Sequence, residues 1–149
     1  MSITLENLES ALAGEAVAYV KYKYFALIAE AEGFTDVAEH FNNTAAQELK
    51  HAWGHLELLV GTPSTQECLE KAIAGETYEY TEMYPLFEAK AIREGLYEVA
   101  QEAKVQGAES REHAEAFIAV LAKAEKRFAA LKRVEKRHAQ AYTQVLESL

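Results

Sequence analysis

The stretch ITLENLESALAGEAVAYVKYKYFALIAEA, residues 3–31, decides the fold. Leu5, Leu8, Leu12, Glu15, Tyr19, Tyr22, Ala26 and Ala29 recur at steps of three and four, the period of one face of an α-helix. The row is core-like except for the carboxylate of Glu15 near its middle. Three further rows repeat the pattern: Val37, Phe41, Thr44, Glu48, His51, His55, Leu58; then Leu69, Ile73, Glu76, Tyr80, Met83, Phe87; then Phe128, Leu131, Glu135, His138, Tyr142, Val145. Each carries a carboxylate in mid-row. A lone buried carboxylate costs several kcal/mol even after relaxation. Four of them at similar heights in one bundle call for a bound cation.

Punctuation between the rows is sparse. Gly33, then Gly61 with Pro63 and Ser64, then Gly95 interrupt segments rich in Ala, Glu, Leu and Lys, which are strong helix formers. Helices are expected near 3–31, 36–60, 65–94 and 97–149, with Thr35 and Asp36 capping the second and Ser64 or Thr65 the third. Pro85 is expected to kink the third helix by removing one backbone hydrogen bond. Short connections between long helices favour an antiparallel up-down four-helix bundle, an all-α fold forming a single domain over 1–149.

Composition narrows the function. Of 149 residues, 50% are apolar, enough for a sizeable core, while seven Gly and two Pro are too few for a turn-rich β fold. A net charge of -9 argues against nucleic acid as a partner, because phosphate recognition needs basic patches. No apolar run is long enough to span a bilayer, and the first residues lack the pattern of a secretion signal. The single cysteine, Cys68, rules out an intrachain disulfide and a Cys-based metal site. A reduced, cytoplasmic setting is the expectation.

Glu48-Leu49-Lys50-His51 and Glu135-Lys136-Arg137-His138 are both E-x-x-H. At i and i+3 the two side chains share one side of a helix. Carboxylate with neutral imidazole suits iron or manganese. One such motif is weak, because Glu and His are common on solvated helical faces. A Glu from each of two helices plus E-x-x-H from each of two others is the di-iron carboxylate pattern. Glu15 and Glu76 supply the single carboxylates, within AGEAVAY (13–19) and AGETYEY (74–80), and this local likeness suggests an internal duplication. Glu79, one turn after Glu76, flanks the same face and has no counterpart in the first helix, where Ala18 stands.

AIAGETYEYTEMYP (72–85), QELKHAWGHLELL (47–59) and VEKRHAQAYTQVL (134–146) resemble the ferritin-like domain of rubrerythrins, most of all the short, sulerythrin-like members that lack a rubredoxin domain. The resemblance implies a ferritin-like bundle with two iron ions, or manganese or a mixed pair. It implies Glu15, Glu48, Glu76 and Glu135 as carboxylate ligands and His51 and His138 as histidine ligands. Glu79 would be a labile carboxylate that exchanges with His51 as one iron changes oxidation state. Tyr22 and Tyr84 match tyrosines that hydrogen-bond ligand carboxylates. The implied activity is a peroxidase acting in oxidative stress, reducing hydrogen peroxide with electrons from an external donor such as rubredoxin or a reductase. A ferroxidase or iron-handling role, with oxygen as oxidant, and a helical interaction module with a structural metal are the other readings.

Two features depart from the family pattern. The paired Cys-x-x-Cys motifs of a rubredoxin are missing. The last E-x-x-H of the family falls on Ser110 and His113, while Glu135 lies about 25 residues, or nearly seven helical turns, farther on. GAESREHAEAF (107–117) thus looks like a degraded copy of the ligand helix. Residues 97–149 are expected either as one helix of about 80 Å or as two helices bent near 122–127. Glu135 and His138 are the preferred ligands, their motif being intact; Glu109 or Glu112 with His113 is the alternative. Phe117, Val120, Leu121 and Phe128 are surplus apolar positions, so at least a homodimer is expected, with the last helix exchanged between protomers in one version.

Overall fold

The structure, a computed structural model, describes residues 3–147. These are almost wholly helical: α1 (Ile3–Ala31), α2 (Thr35–Val60), α3 (Thr65–Tyr78), a π turn (Glu79–Met83), α4 (Tyr84–Glu94) and α5 (Tyr97–Glu147). The chain divides into two compact units, residues 1–62 and 63–149. Unit one is the α1–α2 hairpin. In unit two, α3, the π turn and α4 form one arm that runs against α5.

Gly33 and Gly95 close the hairpins. Each takes a positive φ, 86° and 75°, which glycine adopts without a Cβ penalty. The next N–H in each case bonds back to the last turn, Phe34 to the Ala29 carbonyl at 2.8 Å and Leu96 to Ala91 at 2.9 Å. This is the Schellman arrangement, which satisfies carbonyls left over at a helix end. It also corrects the expected cap of α2. Phe34 closes α1 and is itself the residue before α2, so Thr35 is already helical and no side chain caps that end. Ser64 does cap α3, accepting from the Glu67 N–H at 3.2 Å while the Glu67 carboxylate accepts from the Ser64 N–H at 2.7 Å. This is a complete capping box.

The irregularity expected in the third helix at Pro85 is present, as a π turn. The turn before the proline widens to π geometry, with Tyr84 N–H donating to the Glu79 carbonyl, and Pro85 then lies in the first turn of α4. Proline tolerates a first helical turn, where its missing N–H has no partner to lose. Of the two geometries expected for the last segment, the single helix is found: residues 122–127 contain no bend, and α5 is one helix of 51 residues, about 76 Å long. Without Gly or Pro after Gly107, nothing in the segment interrupts its hydrogen bonds. The expected end at 149 lies outside the described residues.

Both hairpins meet along small residues. Ala26, Ala29, Ala38, Ala45 and Ala52 are buried in the first, and Ala91, Ala100, Ala103, Ser110 and Ala114 in the second. Alanine lets helix axes approach closely. It buries little area, at about 0.8 kcal/mol per methyl-sized group, so the seams align helices more than they stabilise them. Large side chains such as Trp53, Leu58, Phe87 and Ile118 remain exposed.

Candidate metal centre

In the first hairpin, α1 supplies Glu15 and α2 supplies Glu48 and His51. One donor atom from each lies within 4.8 Å of the other two. His51 Nδ1 is 3.2 Å from Glu48 Oε2 and 3.9 Å from Glu15 Oε1. Glu15 and Glu48 are partly buried, while the His51 side chain is 58% exposed. A hydrogen bond between the two carboxyl groups holds Glu15 above the ordinary carboxylate value, and desolvation and the Glu48 charge add to this; His51 and His55 oppose it. The same bond holds Glu48 below that value against its own desolvation, with His51 helping. Two acidic groups this close favour protonation of Glu15 over a second charge, and a bound cation would offset the same repulsion.

The second hairpin holds two contacts between its arms, Glu76 with His113 and Glu79 with Ser110; among the described residues, Glu15, Glu48 and His51 alone bring three such donor atoms within 4.8 Å of one another. His113 Nδ1 lies 3.5 Å from Glu76 Oε2. That oxygen is buried and makes no hydrogen bond among the described residues. A buried carboxylate oxygen without a donor is costly, and a metal ion bound there would remove the cost. Carboxylate and imidazole donors are also the set that iron and manganese favour. Glu79, at the start of the π turn, accepts a 2.8 Å hydrogen bond from Ser110 Oγ. π turns often mark functional sites inside helices.

The two tyrosines differ. Tyr22 packs in a cluster with Phe25 and Phe41, at ring separations of 6.4 and 6.0 Å. Tyr84 stands edge-on to Phe87 and beside Gly107, where an added Cβ would meet the Tyr84 Cβ at 3.1 Å. Burial raises the Tyr84 phenol above its ordinary value, and the charges of Glu79, Glu76, Glu102 and Glu109 raise it further. Its proton is therefore retained.

Glu135 and His138 are not brought to Glu76. Glu135 is exposed and lines a shallow pocket with Phe128, Leu131 and Lys132 of α5 and Ser64, Thr65 and Gln66 at the start of α3. His138 is exposed, about 38 Å along α5 from His113. α3 begins beside this point, so the later part of α5 has no facing arm in its own hairpin. Of the alternative set, His113 lies at Glu76, whereas Glu109 and Glu112 are on the exposed side of α5. Ser110 therefore stands in the position of the missing carboxylate, and the three-residue spacing to His113 was its signal in the sequence. No helix of the described residues is long and apolar enough to cross a membrane.

Comparison with known proteins agrees with the chemistry of these groups. A family model described as Rubrerythrin matches residues 6–121. The rubrerythrin of Porphyromonas gingivalis is 38% identical over 83% of this chain and 68% of its own length. The putative rubrerythrin of Methanocaldococcus jannaschii is 34% identical over 84% of this chain and 72% of its own. The rubrerythrin of Nitratidesulfovibrio vulgaris is 38% identical over 67% of this chain, which spans 59% of that relative. The matched region contains both carboxylate and histidine groups, and ends before Glu135 and His138. With its helical hairpins, its carboxylate and histidine groups and these matches, the chain belongs to the rubrerythrin family.

Proposed function

We propose that this protein is a non-haem di-iron peroxidase, reducing hydrogen peroxide to water with electrons from an external donor such as a rubredoxin or a reductase. Glu15, Glu48 and His51 of the first hairpin and Glu76, Glu79 and His113 of the second are the proposed ligands. The observation that carries the reading is Glu76 Oε2, buried without a hydrogen-bond donor and 3.5 Å from His113 Nδ1. Membership in the rubrerythrin family supports iron as the metal, with manganese or a mixed pair compatible with the same donors.

Ferrous iron, held by these residues, would supply the two electrons needed to cleave the O–O bond. The chain's own groups hold the metal and manage protons. The Glu15–Glu48 pair, whose hydrogen bond and mutual repulsion raise Glu15, is the group whose charge a cation would balance. The Tyr84 phenol, kept protonated by burial and by the charges of Glu79 and Glu76, can offer a hydrogen bond beside the second set without losing its proton. Two protons and two electrons convert one peroxide to two waters. The exposed apolar side chains of both hairpins support the homodimer reading, in which a second copy covers them.

The test is anaerobic loading with ferrous iron, followed by rapid mixing with peroxide or with oxygen. Faster oxidation by peroxide, with iron retained by the protein, is expected. Rapid oxidation by oxygen with iron released as mineral would replace this reading by ferroxidase.

A further inference from the structure

Ser110 is the buried polar side chain of the described residues, 5% exposed and on the α5 seam between Ala103 and Ala114. It precedes His113 by three residues, as Glu48 precedes His51. The equivalent position in α2 therefore bears a carboxylate and this one a hydroxyl. Ser110 Oγ donates a 2.8 Å hydrogen bond to Glu79 Oε2, joining residues 31 apart in the chain. We infer that Ser110 is a positioning residue: it holds the Glu79 carboxylate in the place of the one missing from α5, so that Glu79, not an α5 residue, completes the second ligand set. This rests on the metal-centre reading above.

A side chain at 110 points into the seam towards the opposite arm, because its neighbours on the same stripe are buried there. A glutamate at 110 would place its carboxylate in the space that Glu79 now enters from the other side. The π turn starts at Glu79, and its wider backbone bond from Tyr84 N–H to the Glu79 carbonyl re-aims that residue relative to a plain α-helix. The hydrogen bond engages Oε2 and so restricts how the Glu79 carboxylate can turn. The two sets become alike in composition, each with two carboxylates and one imidazole: Glu15, Glu48 and His51 in one, Glu76, Glu79 and His113 in the other. The serine also spares the site a further negative charge beside Glu76 and Glu79.

The experiment is an anaerobic titration of the full-length metal-free protein with Co(II), read by its visible absorption, with thermal unfolding of the metal-free protein alongside. The wild type is expected to take up two equivalents. Ser110→Ala should weaken one of them roughly ten- to a hundredfold, as loss of a hydrogen bond that orients a ligand does, and Ser110→Thr should retain more of the affinity than Ser110→Ala. Glu79→Ala should lose the same equivalent. Glu79→Ala combined with Ser110→Glu should regain it, because α5 then supplies the carboxylate. Wild-type affinity and spectrum in Ser110→Ala, whatever its unfolding temperature, would overturn the inference alone. So would a double variant that binds no better than Glu79→Ala. A wild-type protein that binds no Co(II) would overturn the metal-centre reading as well.

Discussion

His113 Nδ1 stands 3.5 Å from Glu76 Oε2, pairing α5 with α3 through a carboxylate oxygen that is otherwise buried without a donor. The pairing separates the two histidines of α5. His113 has a carboxylate facing it across the seam, and His138 lies on a stretch of α5 whose side chains are all exposed.

Replacing these histidines should therefore give opposite results. His113→Ala is expected to lower bound iron from two equivalents towards one, and His138→Ala to leave it unchanged. Elemental analysis after anaerobic loading and desalting decides between them. Loss of iron in His138→Ala, with full iron in His113→Ala, would assign the fourth-helix ligand to the intact motif.

Metal affinity should fall on acidification at a higher pH than for ordinary carboxylates. Glu15 is raised, chiefly by its hydrogen bond to Glu48, so its proton is released only at higher pH and competes with the metal up to that point. Below the raised value Glu15 keeps its proton and the first set is weakened; above it the set is fully available. Mn(II) titrations at several pH values check this. A pH-independent affinity between mildly acidic and neutral solution would contradict it.

Much of this architecture is written in the residue periodicity, and some of the site is not. The rows through Glu15, Glu48 and Glu76 run along helices whose ends Gly33, Gly61 and Gly95 mark, because glycine in left-handed geometry stops a helix wherever it falls. The cap at Ser64 is legible too, since Ser64 and Glu67 have the capping-box spacing. The α2 start is not, because Phe34 is fixed by the preceding Schellman turn and leaves Thr35 no capping role. The α5 register was the harder question. His113 and His138 are nearly seven turns apart and in phase, so periodicity alone places either on the same face. Glu135-x-x-His138 is the more complete motif, but the place where α3 starts determines which stretch of α5 faces Glu76. Ser110 looked like a degraded ligand because sequence spacing does not reveal that Glu79 reaches it from the opposite arm.

The capping box gives a stability prediction with a pH signature. Ser64→Ala should destabilise the metal-free protein by about 1 kcal/mol, the usual cost of losing such a cap. The Glu67 carboxylate is held below its ordinary range by hydrogen bonds from the Ser64 backbone and side chain. Its contribution is thus fully present above the ordinary carboxylate range and is lost as pH falls through that range and below. Thermal unfolding of wild type and Glu67→Ala, which removes the titrating partner, should differ at neutral pH and converge in acid. A difference that grows on acidification would contradict the assignment.

Gly107 is the close-approach point between α5 and Tyr84. A Cβ there would meet the Tyr84 Cβ at 3.1 Å, so a large side chain must displace the tyrosine. Gly107→Leu should cost about 1–3 kcal/mol through overpacking, despite leucine's better helix propensity. Denaturant unfolding measures the change; an unaltered or increased stability would show that the α4–α5 approach is looser than described.

The most direct test of the account is anomalous X-ray scattering from crystals of the iron-loaded protein, recorded on both sides of the iron edge. Iron ligated by Glu76, Glu79 and His113 and iron ligated by Glu15, Glu48 and His51 are expected, with no iron at Glu135 or His138. Iron bound by Glu135 and His138, with Glu76 and His113 left without metal, would contradict it.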